Sequence, residues 1–354
     1  MTPPRSLEAL PTGYRRRVLR AGRYTLTLRV RSILVAGTLL LALAGLSLSA
    51  LGLGTYPLAP DAVMRTLLGG GGALDHTVVF EWRLPRTLAA ITLGGLFAIA
   101  GALFQTVTRN PLASPDVLGL SNGAFTGMLL TVVLFSAGWP LMTAGAVLGG
   151  VATAVLIWAL ARRNGTQGFR LIVIGIGIAA LLASANTWML LEVELDTAMF
   201  ASAWGTGSLN GVTAAPLAGA LLCALPLLLL VSGLSPRLRQ LELGDDVATA
   251  TGARPGALRT LALLTAVGLV STATAVAGPV AFVALAAPQI ARRLAATPHL
   301  SLTLSALVGA FLLLASDLVA QHVLPVTLPV GVVTVSVGGL YLVVMIIQEI
   351  RRRA

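Results

Sequence analysis

The chain has 354 residues, of which 56% are hydrophobic and only 10% are charged, and its formal net charge is +11. A soluble domain of this length needs far more charge on its surface, so the composition excludes an ordinary soluble protein and indicates a chain whose solvent is largely lipid. The positive charge does not indicate nucleic-acid binding, because the arginines stand at the ends of apolar runs.

Apolar runs long enough to span a membrane recur along the whole chain. We predict about ten spans, at about 31–53, 87–107, 117–136, 140–161, 171–191, 214–233, 259–277, 280–291, 302–320 and 328–347. The run 280–291 is too short to cross alone unless its helix is tilted or broken, and 259–277 could merge with it. The first run exceeds the roughly 7–15 residues of a signal-peptide core, so we expect it to be retained rather than cleaved.

The distribution of arginine predicts the orientation. All 24 basic residues are arginine, and ten spans with both termini inside leave only Arg65, Arg83 and Arg86 outside. Merging 259–277 with 280–291 would move the last three arginines to the outer side, against the positive-inside tendency. We therefore predict an all-α polytopic membrane protein with both termini cytoplasmic.

Two regions follow from this topology. Residues 1–30 form a cytoplasmic N-terminal segment, and residues 31–350 form a single transmembrane domain with its longest cytoplasmic loop at about 234–258. Small residues recur four positions apart in the spans, which predicts closely packed helices. The alternative is that they reflect an alanine- and glycine-rich composition. The pairs are Gly94 and Ala98, Gly145 and Gly149, and Gly175 and Ala179.

Ionisable residues are nearly absent from the spans. Ion-coupled carriers usually need such groups near the membrane midplane, and only Asp317 is a candidate, for which we favour a helix end over a buried relay. An energy source outside this chain is therefore expected. The chain has no lysine, so it has no Gly-x-x-x-x-Gly-Lys-Ser/Thr loop that could bind ATP.

Nothing in the sequence indicates an enzyme or a metal site. The three histidines are scattered, and none lies in a ligand-spaced or triad-like group. Cys223 is the single cysteine and lies within an apolar run, which excludes an intrachain disulfide. We expect no catalytic residue, no bound metal and no cofactor.

The loop 234–258 is neither apolar enough to insert nor simple enough to be a linker. Asp245 and Asp246 can begin a short helix, because acidic groups favour a helix N-terminus, and Gly252 can end it. Such a helix is a natural docking element on the cytoplasmic side. Taken alone, the segment is better interpreted as an ordinary solvated loop.

Two polar motifs bracket the second span. Glu81-Trp82-Arg83-Leu84-Pro85-Arg86 precedes it, and Arg109-Asn110-Pro111-Leu112-Ala113-Ser114-Pro115-Asp116-Val117-Leu118-Gly119 follows it. Together with the Leu-Gly-Asp-Asp pattern at 243–246, these motifs resemble the FecCD family, the permease subunits of bacterial ATP-driven importers for iron-siderophores, haem and vitamin B12. Further similar segments begin at 170, 204, 277, 288 and 328, so the resemblance covers about 55–350.

The resemblance implies a BtuC-like helical bundle and one permease half of a type II ABC importer in the cell (inner or plasma) membrane. The implied partners are two ATPase subunits that use ATP and Mg, an extracytoplasmic substrate-binding protein, and a second permease. Stretches such as 207–211 and 333–342 are similar to enterobactin-type subunits of the family. That similarity favours a heterodimer over a homodimer, and a ferric siderophore of the catecholate class as substrate.

The resemblance also implies roles for particular residues. Arg83 and Arg86 would pair with carboxylates of the binding protein, in accord with the planar bidentate geometry of arginine; simple anchoring at the interface is the alternative. The inner gate would include Asn110, Leu112, Gly168 and Phe169. The segment that couples to the ATPase would include Glu242, Leu243, Gly244, Asp245, Asp246, Ala248 and Gly252.

Some positions depart from the family pattern. Gln289 stands where many relatives have histidine, and Gln321 stands where some have arginine, which removes one docking contact. The sequence separates a siderophore permease poorly from a haem or vitamin B12 permease, since such paths are lined by bland side chains. An ion-coupled secondary transporter is the further alternative, disfavoured by the lack of midplane charge.

Overall fold

The computed structural model describes residues 16–21, 24–116, 118–135, 139–161, 168–297 and 299–353. Helices dominate these residues. In chain order the elements are β1 (Arg16–Ala21), β2 (Tyr24–Arg29), α1 (Val30–Gly52), α2 (Pro60–Leu67), α3 (Ala73–His76), a π-helical turn (Thr77–Arg83), α4 (Leu84–Thr108), α5 (Leu120–Phe135), α6 (Trp139–Ala161), α7 (Gly168–Glu192), α8 (Leu195–Gly205), α9 (Ala214–Glu242), α10 (Asp245–Ala250), α11 (Pro255–Ala277), α12 (Val283–Ala295), α13 (Leu302–His322) and α14 (Val330–Arg353).

A helix occupies each of the ten predicted spans. Within the described ranges, seven helical segments are long and apolar enough to cross a membrane, and α5 and the first part of α14 are shorter apolar helices. The remaining helix, α12, corresponds to the short run 280–291. It has 13 residues and therefore a length of about 20 Å, which is less than the thickness of a hydrocarbon core of about 30 Å. The chain is a multi-pass membrane protein with a helical fold.

The N-terminal segment departs from the all-helical prediction. β1 and β2 pair as an antiparallel hairpin, with Arg16 opposite Arg29, immediately before α1. Tyr24-Thr25-Leu26-Thr27-Leu28 is rich in residues that favour extended backbone. Hydropathy identifies long apolar spans, so it did not predict strands as short as these. Residues 1–15 of the same segment lie outside the described residues.

The helix that carries the first polar motif begins earlier than predicted. Residues 73–108 form one continuous helical run, so Glu81–Arg86 is helical and not a loop. The π-helical turn ends at Arg83, and Pro85 follows at the start of α4. Proline is tolerated there because the wider turn changes the register of the backbone hydrogen bonds just before it.

The centre of the bundle is formed by α4 and α11. In each, 78% of the most apolar stretch is buried, against 11% in α1 and 17% in α7. α4 packs against α11, α12 and α13, so its two ends are positioned by three neighbouring helices. The outer helices leave large apolar side chains exposed, as lipid contact requires.

Glycine allows the helices to touch through their backbones. A Cβ atom at Gly101 would overlap the carbonyl oxygen of Ala284 in α12, and one at Gly127 in α5 would overlap that of Gly145 in α6. Lipid provides no hydrophobic drive between helices, so close backbone approach is a main source of packing energy. The predicted close packing of helices through small residues is confirmed at these contacts.

Three breaks between helices meet in one junction: the loop after α8, the loop between α11 and α12, and the start of α14. The amide of Ser208 donates to the carbonyl of Ala277 at 2.7 Å, and the amide of Gly331 donates to that of Gly207 at 3.0 Å. Gly207 and Gly278 have φ of 77° and 70°, and a Cβ on either would overlap the backbone of the opposite break. The junction separates α11 from α12, so the two runs that could have merged are distinct helices.

Candidate functional site

Polar residues gather at the two ends of α4. We call the group Arg86, Asn210, Asp317 and Gln321 the Arg86 face, and the group Arg109, Asp245, Arg259 and Arg292 the Asp245 face. They lie at opposite ends of the helix, separated by its buried apolar length. Each face combines charge with backbone that is not regular helix, which is the setting expected of binding and gating sites in membrane proteins.

The Arg86 face is built on a bidentate ion pair. Nε of Arg86 donates to Oδ2 of Asp317 at 2.8 Å, and Nη2 donates to Oδ1 at 2.7 Å. Asp317, in α13, is only 5% exposed. Nη1 of Arg86 donates to Oδ1 of Asn210 at 2.7 Å, and that oxygen also accepts from Gln321 at 3.2 Å. The face therefore ties α4 to α13 and to the loop after α8, and Asp317 lies near a helix end as expected.

Arg83, one turn away, is held differently. Its Nη1 donates to the carbonyl of Leu51 at 2.7 Å and to that of Gly52 at 3.3 Å, and its Nη2 donates to the carbonyl of Tyr56 at 2.6 Å. These carbonyls belong to the end of α1 and the chain just beyond it, where a helix leaves acceptors without intrahelical partners. Arg83 thus caps α1.

A cavity of about 610 Å³ opens between these two arginines. Its wall includes Tyr56, Trp82, Arg83, Arg86 and His322. At its rim the hydroxyl of Tyr56 donates to Oδ1 of Asp75 at 3.0 Å, and this bond, together with the negative charge of Asp75, raises the pKa of the phenol. Both predicted docking residues therefore reach one cavity, although intrachain acceptors hold their guanidinium groups.

The predicted gate turn lies beyond the other end of α4. Oδ1 of Asn110 accepts from the amide of Leu112 at 2.9 Å, and the carbonyl of Asn110 accepts from the amide of Ala113 at 3.1 Å. We call Asn110–Ala113 the gate turn. Leu112 is 41% exposed. Gly168 and Phe169 form the start of α7, and their side chains lie outside those that the structure describes.

Asp116 follows the gate turn and was not singled out by sequence reasoning. The hydroxyls of Ser114 and Ser121 each donate to its carboxylate at 3.1 Å. Burial raises the pKa of Asp116 to about 6, although these two bonds and one from the backbone of Phe282 oppose the shift. The structure thus links the loop after α4 to the start of α12.

The short helix that was predicted to begin at Asp245 is present, and its coupling role stays a prediction. α10 begins at Asp245, as expected from its acidic pair, and Gly252 follows it with a φ of 84°. Ala248 is buried, whereas Leu243 is 70% exposed. The predicted loop 234–258 is shorter than expected, because α9 continues to Glu242 with Leu234, Leu238 and Leu241 buried.

Asp245 and Asp246 have different surroundings. Oδ1 of Asp245 accepts from Nη2 of Arg259 at 2.6 Å and also from Nη2 of Arg109. Asp246 is exposed, and within the described part of the chain it forms no ion pair. Nothing in the sequence distinguished the two aspartates, or showed that Arg109, 136 positions away, and Arg259, 14 positions away, are the partners of Asp245.

A polar cavity of about 220 Å³ lies between the gate turn and the end of α9. Its wall includes Asn110, Glu242 and Arg292, and also Gln105 and Gln289. Nε2 of Gln289 donates to Oε1 of Gln105 at 2.6 Å, and Nε2 of Gln105 donates to the carbonyl of Leu285 at 3.0 Å. Gln105 is a polar residue inside the apolar run 87–107, and that position was the sequence signal that could have identified it.

The described residues contain no group of three or more histidine, cysteine, aspartate or glutamate side chains placed to hold a metal ion. What the two faces can do is bind carboxylates, accept protein contacts and change the conformation of a turn.

Comparisons with known proteins agree with this geometry. The profile of the FecCD transport family matches residues 39–348. The ferric enterobactin transport system permease protein FepG of Escherichia coli strain K12 is 47% identical over 301 residues, which are 85% of this chain and 91% of FepG. The ferric enterobactin transport system permease protein FepD of the same strain is 34% identical over 330 residues, 91% of this chain and 97% of FepD.

A solved structure has the same architecture. It is described as an inward-facing conformation of an ABC transporter of the metal-chelate type, and it superposes with a TM-score of 0.79 at 25% identity. The match covers 89% of this chain and 99% of that one. The overall helical fold is therefore that of a solved ABC transporter of the metal-chelate type.

Proposed function

The chain belongs to the FecCD transport family, and from this membership we propose that it is a permease subunit of an ABC importer that moves a ferric siderophore into the cytoplasm. The observation that carries the proposal is the 47% identity to FepG over 85% of the chain, which favours a catecholate siderophore of the enterobactin class. Two further relatives, named for Fe(3+)-citrate and iron(3+)-hydroxamate import, are only 35% and 33% identical.

We propose that the functional unit contains a second permease, two ATPase subunits and an extracytoplasmic binding protein. FepG and FepD carry the name of one transport system and both resemble this chain, at 47% and 34% identity. That pattern supports a heterodimer of related permeases. Transport proceeds by alternating access, in which the ATPase subunits shift the helix bundle between two states, and the chain itself binds no cofactor.

The test is uptake of radiolabelled iron in cells with and without the gene, and in deleted cells that express it again. The panel contains ferric enterobactin, a ferric hydroxamate, ferric citrate, haem and labelled vitamin B12. We expect loss of ferric enterobactin uptake and its recovery on expression. If enterobactin uptake is unchanged and uptake of another solute is lost, the assignment of the fold would stand and the assignment of the substrate would be wrong.

The source of energy is tested in spheroplasts supplied with the binding protein. We expect uptake to stop when ATP is depleted, and to continue with a protonophore while ATP is maintained. The opposite result would support an ion-coupled carrier. The few charges within the spans favour the first outcome.

We propose further that the binding protein docks on the Arg86 face. Arg86 presents a guanidinium fork of the kind that binds carboxylates, and its side chain remains 23% exposed beside the large cavity. Arg83 contributes by capping α1, which shapes the cavity wall. A docking carboxylate would replace Asp317 as the partner of Arg86.

This exchange predicts opposite effects of two substitutions on binding-protein affinity. Arg86→Ala should weaken binding about tenfold, and Asp317→Asn should strengthen it, because the guanidinium is then free. The control is Arg65→Ala, which removes an arginine paired on the surface with Asp61 and should change affinity less than about twofold. The double variant Arg86→Ala/Asp317→Asn avoids an unpaired buried carboxylate; normal binding by this variant would contradict the proposal.

A further inference from the structure

One carboxylate oxygen on the Asp245 face joins three helices. Oδ1 of Asp245 accepts from Arg259 at 2.6 Å and from Arg109. Asp245 is the first residue of α10, Arg109 is the C-cap of α4, and Arg259 lies in the second turn of α11. This carboxylate oxygen therefore links the short helix to both α4 and α11, in addition to the packing of the buried Ala248.

Arg109 also has an unusual backbone. Its φ and ψ are 51° and 32°, the left-handed region that residues with a Cβ seldom adopt. Besides Asp245, its side chain contacts the end of α9, where Nε donates to the carbonyl of Leu241 at 3.1 Å. Side-chain contacts on both sides of the α9–α10 corner thus hold Arg109 in a conformation that its own backbone disfavours.

The conformation of Arg109 sets the path of the chain into the gate turn. Asn110 is the next residue, and its side chain and carbonyl organise the turn by accepting from Leu112 and Ala113. A change in the φ and ψ of Arg109 would redirect the whole turn. Movement of α10 would reach Arg109 first, through the Asp245 carboxylate.

We propose that Arg109 and Asp245 are positioning residues that transmit movement of α10 to the gate turn, with Arg259 holding the same carboxylate against α11. The proposal rests on the proposed function, because it takes the ATPase subunits to act on the loop that carries α10. Neither residue touches the substrate. Asp246, exposed beside Asp245, has no part in this link.

The exposure of the pair distinguishes transmission from simple stabilisation. The side chains of Arg109 and Asp245 are 40% and 45% exposed, and an ion pair so open to water adds little to the stability of a fold. A contact that costs little to break and re-form suits a link between two conformations. Its loss should therefore affect the coupling of transport to ATP hydrolysis more than the stability of the chain.

The test uses the complete importer in liposomes and measures substrate transported per ATP hydrolysed. Asp245→Asn removes the charge, and Arg109→Gly removes the guanidinium while allowing the left-handed backbone. Each should lower the ratio about tenfold while hydrolysis continues. The double variant should be no worse than the more impaired single one, because both act through one contact. Asp61→Asn, which makes the same chemical change in an exposed ion pair with Arg65, is the matched control and should behave as wild type.

A second measurement on the purified chain separates this proposal from the proposed function. Spin labels are placed on Leu112→Cys and Ala250→Cys in a Cys223→Ser background, and the distance between them is measured. Asp245→Asn should broaden the distance distribution, and Asp61→Asn should not. An unchanged distribution with Asp245→Asn would overturn the link even if the transport proposal holds, whereas a broadened distribution would support it even if the substrate is not a siderophore.

Discussion

Arginine has three different roles in this chain, and each depends on the acceptor that it meets. Arg83 binds helix-end carbonyls, Arg86 binds a buried carboxylate, and Arg109 binds a carboxylate at the surface. The same fork of donors serves in all three because it can satisfy several oxygens at once. The docking role of Arg83 and Arg86 stays a prediction, and the sequence did not show that intrachain acceptors hold both guanidinium groups.

The dependence of stability on pH can be tested at His299. It lies in the loop between α12 and α13, where burial lowers its pKa, and so does the positive charge of Arg239, Arg29 and Arg292. A histidine whose pKa is lower in the folded state opposes folding once it is protonated, so its contribution to stability is present above about pH 6.5 and is lost as the pH falls.

We therefore expect wild-type protein to lose more thermal stability than His299→Gln between about pH 7.5 and about pH 5.5. The measurement is the midpoint of unfolding in detergent, followed by tryptophan fluorescence at both pH values. Equal losses in the two proteins would show that protonation of this imidazole does not oppose folding.

At the scale of helices, the close contacts predict a contrast between two glycines. Gly101 in α4 leaves no room for a Cβ beside Ala284, whereas Gly219 in α9 has no atom within 4 Å of that position. Gly101→Ala should destabilise by about 1–3 kcal/mol because α4 and α12 must separate. Gly219→Ala should stabilise by about 0.5–1 kcal/mol, because alanine favours a helix interior.

The measurement is unfolding of each purified variant in mixed micelles, with transport as a second readout. Gly219→Ala is the matched control, since it makes the same chemical change in another membrane helix. Equal effects of the two substitutions would contradict the backbone packing described for α4 and α12.

Hydropathy predicted where helices lie better than where they end. The runs at 87–107 and 214–233 became α4, continuous with helix from 73, and α9, which extends to Glu242. A hydropathy pattern identifies the residues that can lie in lipid. It does not show whether the helix continues beyond them into the polar region. Likewise, Arg109 and Arg259 could not be predicted as partners of Asp245, because that contact exists only once α4, α10 and α11 are packed.

For the whole molecule, the arginines predict one orientation in the membrane. Only three of the 24 basic residues fall on the predicted outer side, so the Asp245 face should be cytoplasmic. Leu68 and Leu243 are exposed leucines, 82% and 70%, in segments predicted to lie on opposite sides. They form a matched pair for labelling.

In a Cys223→Ser background, Leu68→Cys should react with a membrane-impermeant maleimide in intact spheroplasts. Leu243→Cys should react only after the membrane is permeabilised. Labelling in the reverse order would invert the topology and with it the assignment of docking and coupling to the two faces.

The π-helical turn at Thr77–Arg83 has a consequence for insertions and deletions rather than substitutions. Such a turn holds one more residue than the same stretch of regular helix, so a chain lacking one residue there could form a straighter helix. Because the turn absorbs that residue, the segments on either side would keep their orientation around the axis. A deletion in the regular helix of α4 would instead rotate everything before it by about 100° around the axis. Val78 and Val79 would then leave their contacts with Leu51 and Val63, and the carbonyls at the end of α1 would lose Arg83. The length of the chain is therefore constrained more tightly in α4 than in the irregular turn that precedes it.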